Sequence, residues 1–281
     1  MRGVDRSQAV WSEMMAQLFD STVEPQDVDL VQMQYEITDP EALMEACRTS
    51  VHLQAIPAGS DSDEAVAPKA AYHVLDRPQI EFKEGMQVQP EEVPCGLGTV
   101  RIYGRETDRE ARCTFLVPRD EGFAKSVDTL LGVVGAVVKQ PPEETVVHRI
   151  PVQTLVLNSL AVFPRVEPIQ DRNALILAQR GMVYRTKWVE APHPHLGGKT
   201  PKEAAEDESL QIPLLAAIRT LEFANAEAIR FDFNLLRADL SLPIQEPVRP
   251  EAAFDWDVFV LSLGHVVAED LGKTELLELF T

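Results

Sequence analysis

The stretch Trp188–Ala205, WVEAPHPHLGGKTPKEAA, carries the residue types of a phosphate-binding loop in Gly197-Gly198-Lys199-Thr200. Such a loop aims backbone amides and a lysine at the phosphates and sets a hydroxyl on the magnesium ion. It also needs a glycine five residues before Gly198, and that position is His193. Pro192 and Pro194 flank it and remove two amides that a cradle would use. The segment ahead is not an apolar strand. The pattern therefore predicts no nucleotide and no other cofactor at this loop.

The same residues make sense as helix punctuation. Thr200 and Glu203 have the spacing of a capping box, in which the hydroxyl accepts from the amide of residue 203 and the carboxylate returns to the amide of Thr200. Pro201 takes the first helical position, where a missing N–H costs nothing. Gly197 and Gly198 permit positive φ just before the cap. A loop fixed in this way presents a definite shape, with Trp188 as its expected anchor.

Trp188, Pro192, Pro194, Leu196, Gly197, Gly198, Thr200, Pro201, Glu203 and Ala204 together resemble a bacterial motif, Trp-…-Pro-x-Leu-x-Gly-x-Thr-Pro-x-Glu-Ala. It belongs to the toxin-binding module of the Xre/MbcA/ParS antitoxins and to related bacterial proteins. The likeness spans about residues 171–225, including the helix-like SLQIPLLAAIRTLE. In the antitoxins a basic DNA-binding helix-turn-helix precedes the module, whereas strands precede it here. The resemblance implies a small helical platform for binding another protein, with His195 and Leu196 as candidate contacts.

Other residues that could do chemistry lack companions in the sequence. His193 and His195 need further metal ligands, and neither Cys-x-x-Cys nor His-Glu-x-x-His occurs. Cys113 with His148 could form a thiol–imidazole pair if the fold joined them, but Cys113 sits in an apolar strand pattern where cysteine packs as a small hydrophobe. Cys95, in VPCGLG, is the other thiol considered. Glycines 96, 98 and 104 are not in dinucleotide-binding order. The acidic groups EPQDVD, GSDSDE and AAEDES lack the alternating ligands and central glycine of a calcium loop. Arg230 and Arg237 are expected to pair locally with Asp232 or Asp239. The site residues expected are thus loop-shaping or partner-binding, with no catalytic or metal residues.

The elements that must position these residues follow from periodicity. Asp39 and Pro40 start a helix over 39–49, and residues 5–20 repeat at helical spacing. GTVRIYGRE and ARCTFLVP alternate as two strands of a hairpin. Residues 121–135 carry a helical stripe, while GAVVKQ and ETVVHRIP read as strands. PVQTLVLNSLAVFP reads as one helix ended by Pro164, and Asp171 as the N-cap of the next. Leu214, Ala217, Ile218 and Leu221 mark the strongest helix, with Pro213 in its first turn. The fold class is α+β, with short, partly antiparallel strands and helices in the N-terminal part and a mainly helical C-terminal part. The expected divisions are N-terminal helices at 1–57, an acidic loop at 58–68, an α+β unit at 69–150, a helical module at 151–240, a Pro-rich linker at 241–250 and C-terminal helices at 251–281. The apolar end without a stop signal implies either docking onto the domain or continuation into something longer.

Composition bounds the partners. The chain has 281 residues with 26 Lys plus Arg against 45 Asp plus Glu, a formal charge of −19. Affinity for nucleic acid comes from neutralising phosphates with Lys and Arg, and no basic cluster exists here. Nucleic acid and anionic membrane are disfavoured. Three cysteines at wide spacing make no disulfide framework. Asp5 and Glu13 interrupt the run a signal peptide needs, and LLGVVGAVV is too short to span a bilayer. The reading is a soluble, acidic, cytoplasmic bacterial protein that is no enzyme and binds another protein. The alternative is an enzyme assembled from distant residues, Cys113 with His148 or paired carboxylates.

Overall fold

The computed structural model describes residues 3–19, 27–57, 67–81, 86–105, 110–164, 168–224 and 231–246. The fold is α+β. The chain divides into two compact units, one of residues 22–192 and one of residues 1–21 with 193–281. The first helix therefore goes with the C-terminal residues rather than with the strands that follow it, and residues 151–192 stay with the sheet.

The unit of residues 22–192 is built on six strands: β1 (Val28–Glu36), β2 (Leu53–Ala55), β3 (Ala70–Leu75), β4 (Gly96–Tyr103), β5 (Arg112–Pro118) and β6 (Glu143–Ile150). Their order is β2-β3-β4-β5-β1-β6, and every pairing is antiparallel. The expected hairpin of β4 and β5 is present, with Val100 opposite Phe115 and Ile102 opposite Cys113. Alternation aims Val31, Met33 and Tyr35 of β1 and Cys113, Phe115 and Val117 of β5 into one core. The helices α2 (Pro40–Thr49) and α3 (Phe123–Val134) bring Leu43, Cys47, Leu130 and Val134 to the same core. Asp39 caps α2 by accepting from the amides of Glu41 and Ala42. At Gly98 a Cβ would meet the Leu116 carbonyl oxygen at 2.6 Å and the Phe115 ring at 2.7 Å, so only glycine lets β4 and β5 close there.

Several sequence expectations are corrected in this unit. GAVVKQ forms no strand: residues after α3 turn, and Val138 makes only an isolated bridge to Ile37. PVQTLVLNSLAVFP is not one helix, because α4 (Val152–Leu157) stops at Asn158. The next residues lie against the start of β4, with Gly96 N donating to Leu160 O and Val162 N to Pro94 O, both at 2.8 Å. Those ladder bonds replace the helical ones that continuation would supply. The helix α5 (Ile169–Met182) begins before Asp171, with Pro168 at its cap, so Asp171 lies in the first turn. A carboxylate there still favours the positive end of the helix dipole. α5 runs on through a π turn, Val183–Lys187, into a 3₁₀ turn, Trp188–Glu190.

Among its described residues the other unit is helical, with α1 (Gly3–Phe19), α6 (Pro201–Ala205), α7 (Gln211–Ala224) and α8 (Phe233–Asp239). α1 and α7 pack together, with Met14 buried and Gln17 donating its amide to Pro213 O at 3.1 Å. Leu214, Ala217, Ile218 and Leu221 of α7 are all buried, as their spacing predicts. Asp232 caps α8 by accepting from Asn234 N. Residues 242–246, in the expected linker, form no regular element. The expected C-terminal helices at 251–281 lie outside the described residues, as does most of the acidic loop at 58–68. Among the described residues no helix is long and apolar enough to cross a membrane.

Arg237 does not pair with Asp232 or Asp239. Its guanidinium, 4 % exposed, meets Glu222 of α7, which also binds Arg219 at 2.8 Å. Arg230 lies outside the described residues. A largely buried carboxylate between two guanidinium groups ties α8 to α7, and its loss leaves charge stranded in a dry setting. Arg237→Ala leaves Glu222 with Arg219 alone and is expected to lower the unfolding free energy by about 3 kcal/mol, the low end for a broken buried pair, measured by urea denaturation.

Candidate functional site

The site begins where α5 ends. Trp188 is 1 % exposed. The side-chain amide of Gln153, on α4, donates to the carbonyls of Ala191 at 2.8 Å and Pro192 at 3.0 Å. Those carbonyls lie beyond the last helical turn, and the clamp satisfies what the helix no longer can. Trp188 thus belongs to the unit of residues 22–192, while His195, Leu196, Gly197, Gly198, Thr200, Pro201 and Glu203 belong to the other.

From His193 onward the chain bonds to itself. His193 N donates to Lys199 O at 3.0 Å, closing the loop at its base. His193 O accepts from Leu196 N at 3.0 Å and from Gly198 N at 3.1 Å. Gly197 N reaches Pro194 O at 3.0 Å, and Lys199 N reaches Leu196 O at 3.3 Å. His195 N donates to the His193 ring nitrogen Nδ1 at 3.3 Å. The turn this makes, Pro194–Leu196, is 3₁₀, and it leaves through Gly197 at φ 68° and Gly198 at φ 79°. A Cβ at either glycine would meet nothing within 4 Å, so torsion and not space selects glycine.

The capping box forms as its spacing predicts. Thr200 N donates to Glu203 Oε2 at 2.8 Å, and Glu203 N donates to Thr200 Oγ1 at 3.2 Å. The Thr200 amide first, and then the Thr200 hydroxyl, hold the Glu203 carboxyl below its ordinary value. Lys199 pairs with Asp207 at 2.8 Å. Asp207, bound also by Ser209, is lowered to about 2, with the lysine as the largest cause.

These bonds decide the chemistry of the loop. A phosphate cradle needs unpaired amides converging on an anion. Here every amide from His195 to Thr200 donates to an atom of the loop or of the capping box. The lysine that would reach the phosphates faces a carboxylate instead. Leu196 is fully buried, so it fills the interior and offers no contact to a partner. Pro201 is buried too, whereas Gly197, Gly198, Lys199, Lys202 and Glu203 are exposed.

The histidines do not assemble a metal site. Their rings lie 5.4 Å apart and His193 Nδ1 is engaged by the His195 amide. Among the described residues no group of three or more His, Cys, Asp or Glu could hold a metal ion. Burial, and then the neighbouring His195, lower the His193 imidazole to about 4.

The fold does not join Cys113 to His148 either. Cys113 pairs with Tyr35 and His148 with Leu30, five residues apart along β1 and so about 17 Å at the rise of a strand. Burial, with Cys47 beside it, pushes the Cys113 thiol up to about 12, which removes the thiolate that a nucleophile needs. Cys95 is raised as well, chiefly by burial. Two clefts open in this unit. One of 510 Å³ has Met44, Tyr72 and Ile102 in its wall, and one of 740 Å³ holds Glu36, Arg112 and Lys139; neither is lined by Cys113 or His148.

No family model, curated protein or solved structure matches this chain.

Two outcomes test the loop. An L-residue at φ near +79° is strained, so Gly198→Ala is expected to cost about 1 kcal/mol, and Thr200→Ala about 1 kcal/mol through the lost cap. Both are read from thermal denaturation. The second outcome concerns His193. Its folded-state value of about 4 lies below the ordinary 6.5. Between these values the unfolded chain takes up a proton that the folded chain refuses. The stability is complete above about pH 6.5 and falls as pH drops towards 4, by on the order of 2–3 kcal/mol. His193→Asn, which keeps an acceptor for His195 N, should flatten that part of the stability–pH curve.

Proposed function

We propose that this chain is a non-catalytic, protein-binding component of the bacterial cytoplasm, and that the exposed tip Gly197–Lys199 with the start of α6 recognises its partner by shape. The observation that carries this is the closed hydrogen-bonding of residues 193–200. A loop whose amides are spent internally is poorly equipped to hold an anion or polarise a substrate. It keeps one conformation, and a rigid loop loses little entropy on association. The likeness of residues 171–225 to the antitoxin toxin-binding module supports the same reading.

Apolar surface in the same unit adds to it. Phe223, Leu235 and Ile244 are 67 %, 47 % and 60 % exposed. They lie on α7, on α8 and on the segment after it. Those pieces are held together by the Glu222–Arg237 ion pair and by Asn234, which exchanges hydrogen bonds of 3.0 and 2.9 Å with the backbone of Gln245. Large aromatic and aliphatic side chains left in water on a braced framework suit a protein partner.

The test is quantitative affinity purification of tagged chain from its native host. A protein recovered with wild type is expected to fall at least about tenfold with Gly197→Val/Gly198→Val, a loss of about 1.4 kcal/mol or more. Lys199→Met, which leaves the turn intact, should retain most of it. Equal recovery with all three chains would reject the loop as the binding element.

A further inference from the structure

A second surface, unrelated to the loop, carries its own inference. The sheet has two edges. One is β2, only three residues long; the other is β6, with eight. Seven of the eight β6 residues are exposed, so this strand is open to water on both faces as well as at its edge. Val146 and Val147 are 52 % and 55 % exposed. A long edge strand with unpaired backbone groups is a template for another strand. Pro142 and Pro151 lie just outside its ends, where they bound the length of any added ladder without blocking it.

The charge pattern of β6 selects the occupant. Leu30 pairs with His148 and Val31 with Val146, leaving Val147 as the extra residue of a bulge. Counting across that bulge puts Glu144, Val146 and Arg149 on the face of Met33, Val31 and Asp29. Glu143, Thr145, His148 and Ile150 take the opposite face. The Arg149–Asp29 ion pair at 3.1 Å agrees with this assignment. A sheet continued by a second, two-fold-related copy needs its axis normal to the sheet, which preserves faces, so opposed residues must share one. An antiparallel register centred on the two bulges meets that condition on both flanks: 144 opposite 149, 145 opposite 148, 143 opposite 150. It sets Glu144 against Arg149 of the second copy, twice.

Both residues already have partners within the chain, Glu144 with Arg119 and Arg149 with Asp29 and the Asp27 carbonyl. Across the join the charges then alternate, Arg119, Glu144, Arg149 of the second copy, Asp29 of the second copy. We propose that the chain forms a two-fold dimer through antiparallel pairing of β6 with β6 of a second copy, making one twelve-stranded sheet. The net charge of −19 opposes this at low salt. Screening over about 8 Å at 0.15 M ionic strength reduces that opposition while close pairs persist.

Sedimentation and light scattering of the full chain at about 0.15 M salt test this. Wild type should move from monomer to dimer mass with concentration. Glu144→Arg sets arginine against arginine and Arg149→Glu sets glutamate against glutamate, so each alone should weaken the dimer about tenfold or more. Mixed in equal amounts, the two variants bring opposite charges together at both contacts and should recover dimer mass. Hydrogen exchange of wild type gives a readout without substitution: the amides of residues 143–150 that face away from β1 become protected on concentration and exposed on dilution. A wild type monomeric at every concentration overturns the proposal, as does a dimer unmoved by either variant, a mixture that stays monomeric, or exchange in β6 independent of concentration. An extended segment of another protein on this edge would appear as one of those monomeric results.

Discussion

Four hydrogen bonds meet at His193, and the shape of the exposed loop depends on them. Its amide reaches forward to Lys199, its carbonyl receives Leu196 and Gly198, and its ring receives His195. The residues between can go nowhere else without breaking more than one of these. The ring bond requires a bare nitrogen, which is why burial and a neutral imidazole belong together here. The cap of α6 follows on that closure, since Thr200 enters it directly from Lys199, whose carbonyl completes the circuit. Lys199 and Asp207, both on the surface, contribute little to stability by comparison.

The units differ in how they reach rigidity. In the sheet unit, alternation along β1, β4 and β5 buries one face against α2 and α3. Apolar burial does most of the ordering there, with Gly98 permitting the close approach of two strands. In the helical unit, polar devices supplement the buried apolar face of α7: the Gln17 contact, the Thr200–Glu203 box, and Glu222 between two arginines. α6 has five residues, too few to hold helical form by propensity alone.

Local signals were legible in the sequence, and long-range ones were not. Asp39–Pro40 and Thr200–Pro201–Glu203 announce their helices because a cap is chemistry within four residues. The β4–β5 hairpin could be read for the same reason. β1 and β3 escaped notice. VDLVQMQYE mixes glutamine and methionine, which suit helices, and becomes a strand because β5 lies beside it. The end of α4 is fixed by Pro94 and Gly96, more than sixty residues earlier in the chain. Arg237 found Glu222 rather than an adjacent aspartate because folding brings α7 against α8, a proximity no spacing encodes. The loop's torsions and cap were legible, whereas the burial of Leu196 and the separation of Trp188 into the sheet unit were not, since both belong to tertiary structure.

Gly197 and Gly198 combine a torsion that L-residues disfavour with empty surroundings, and that combination has a chemical consequence. What the backbone rejects there is handedness, not bulk. A mirror-image amino acid favours positive φ, so D-alanine placed by peptide ligation at either position would match the torsion and meet no neighbour. Larger D-side chains, including spectroscopic labels, could occupy the same outward space while the hydrogen bonds beneath them stayed in place.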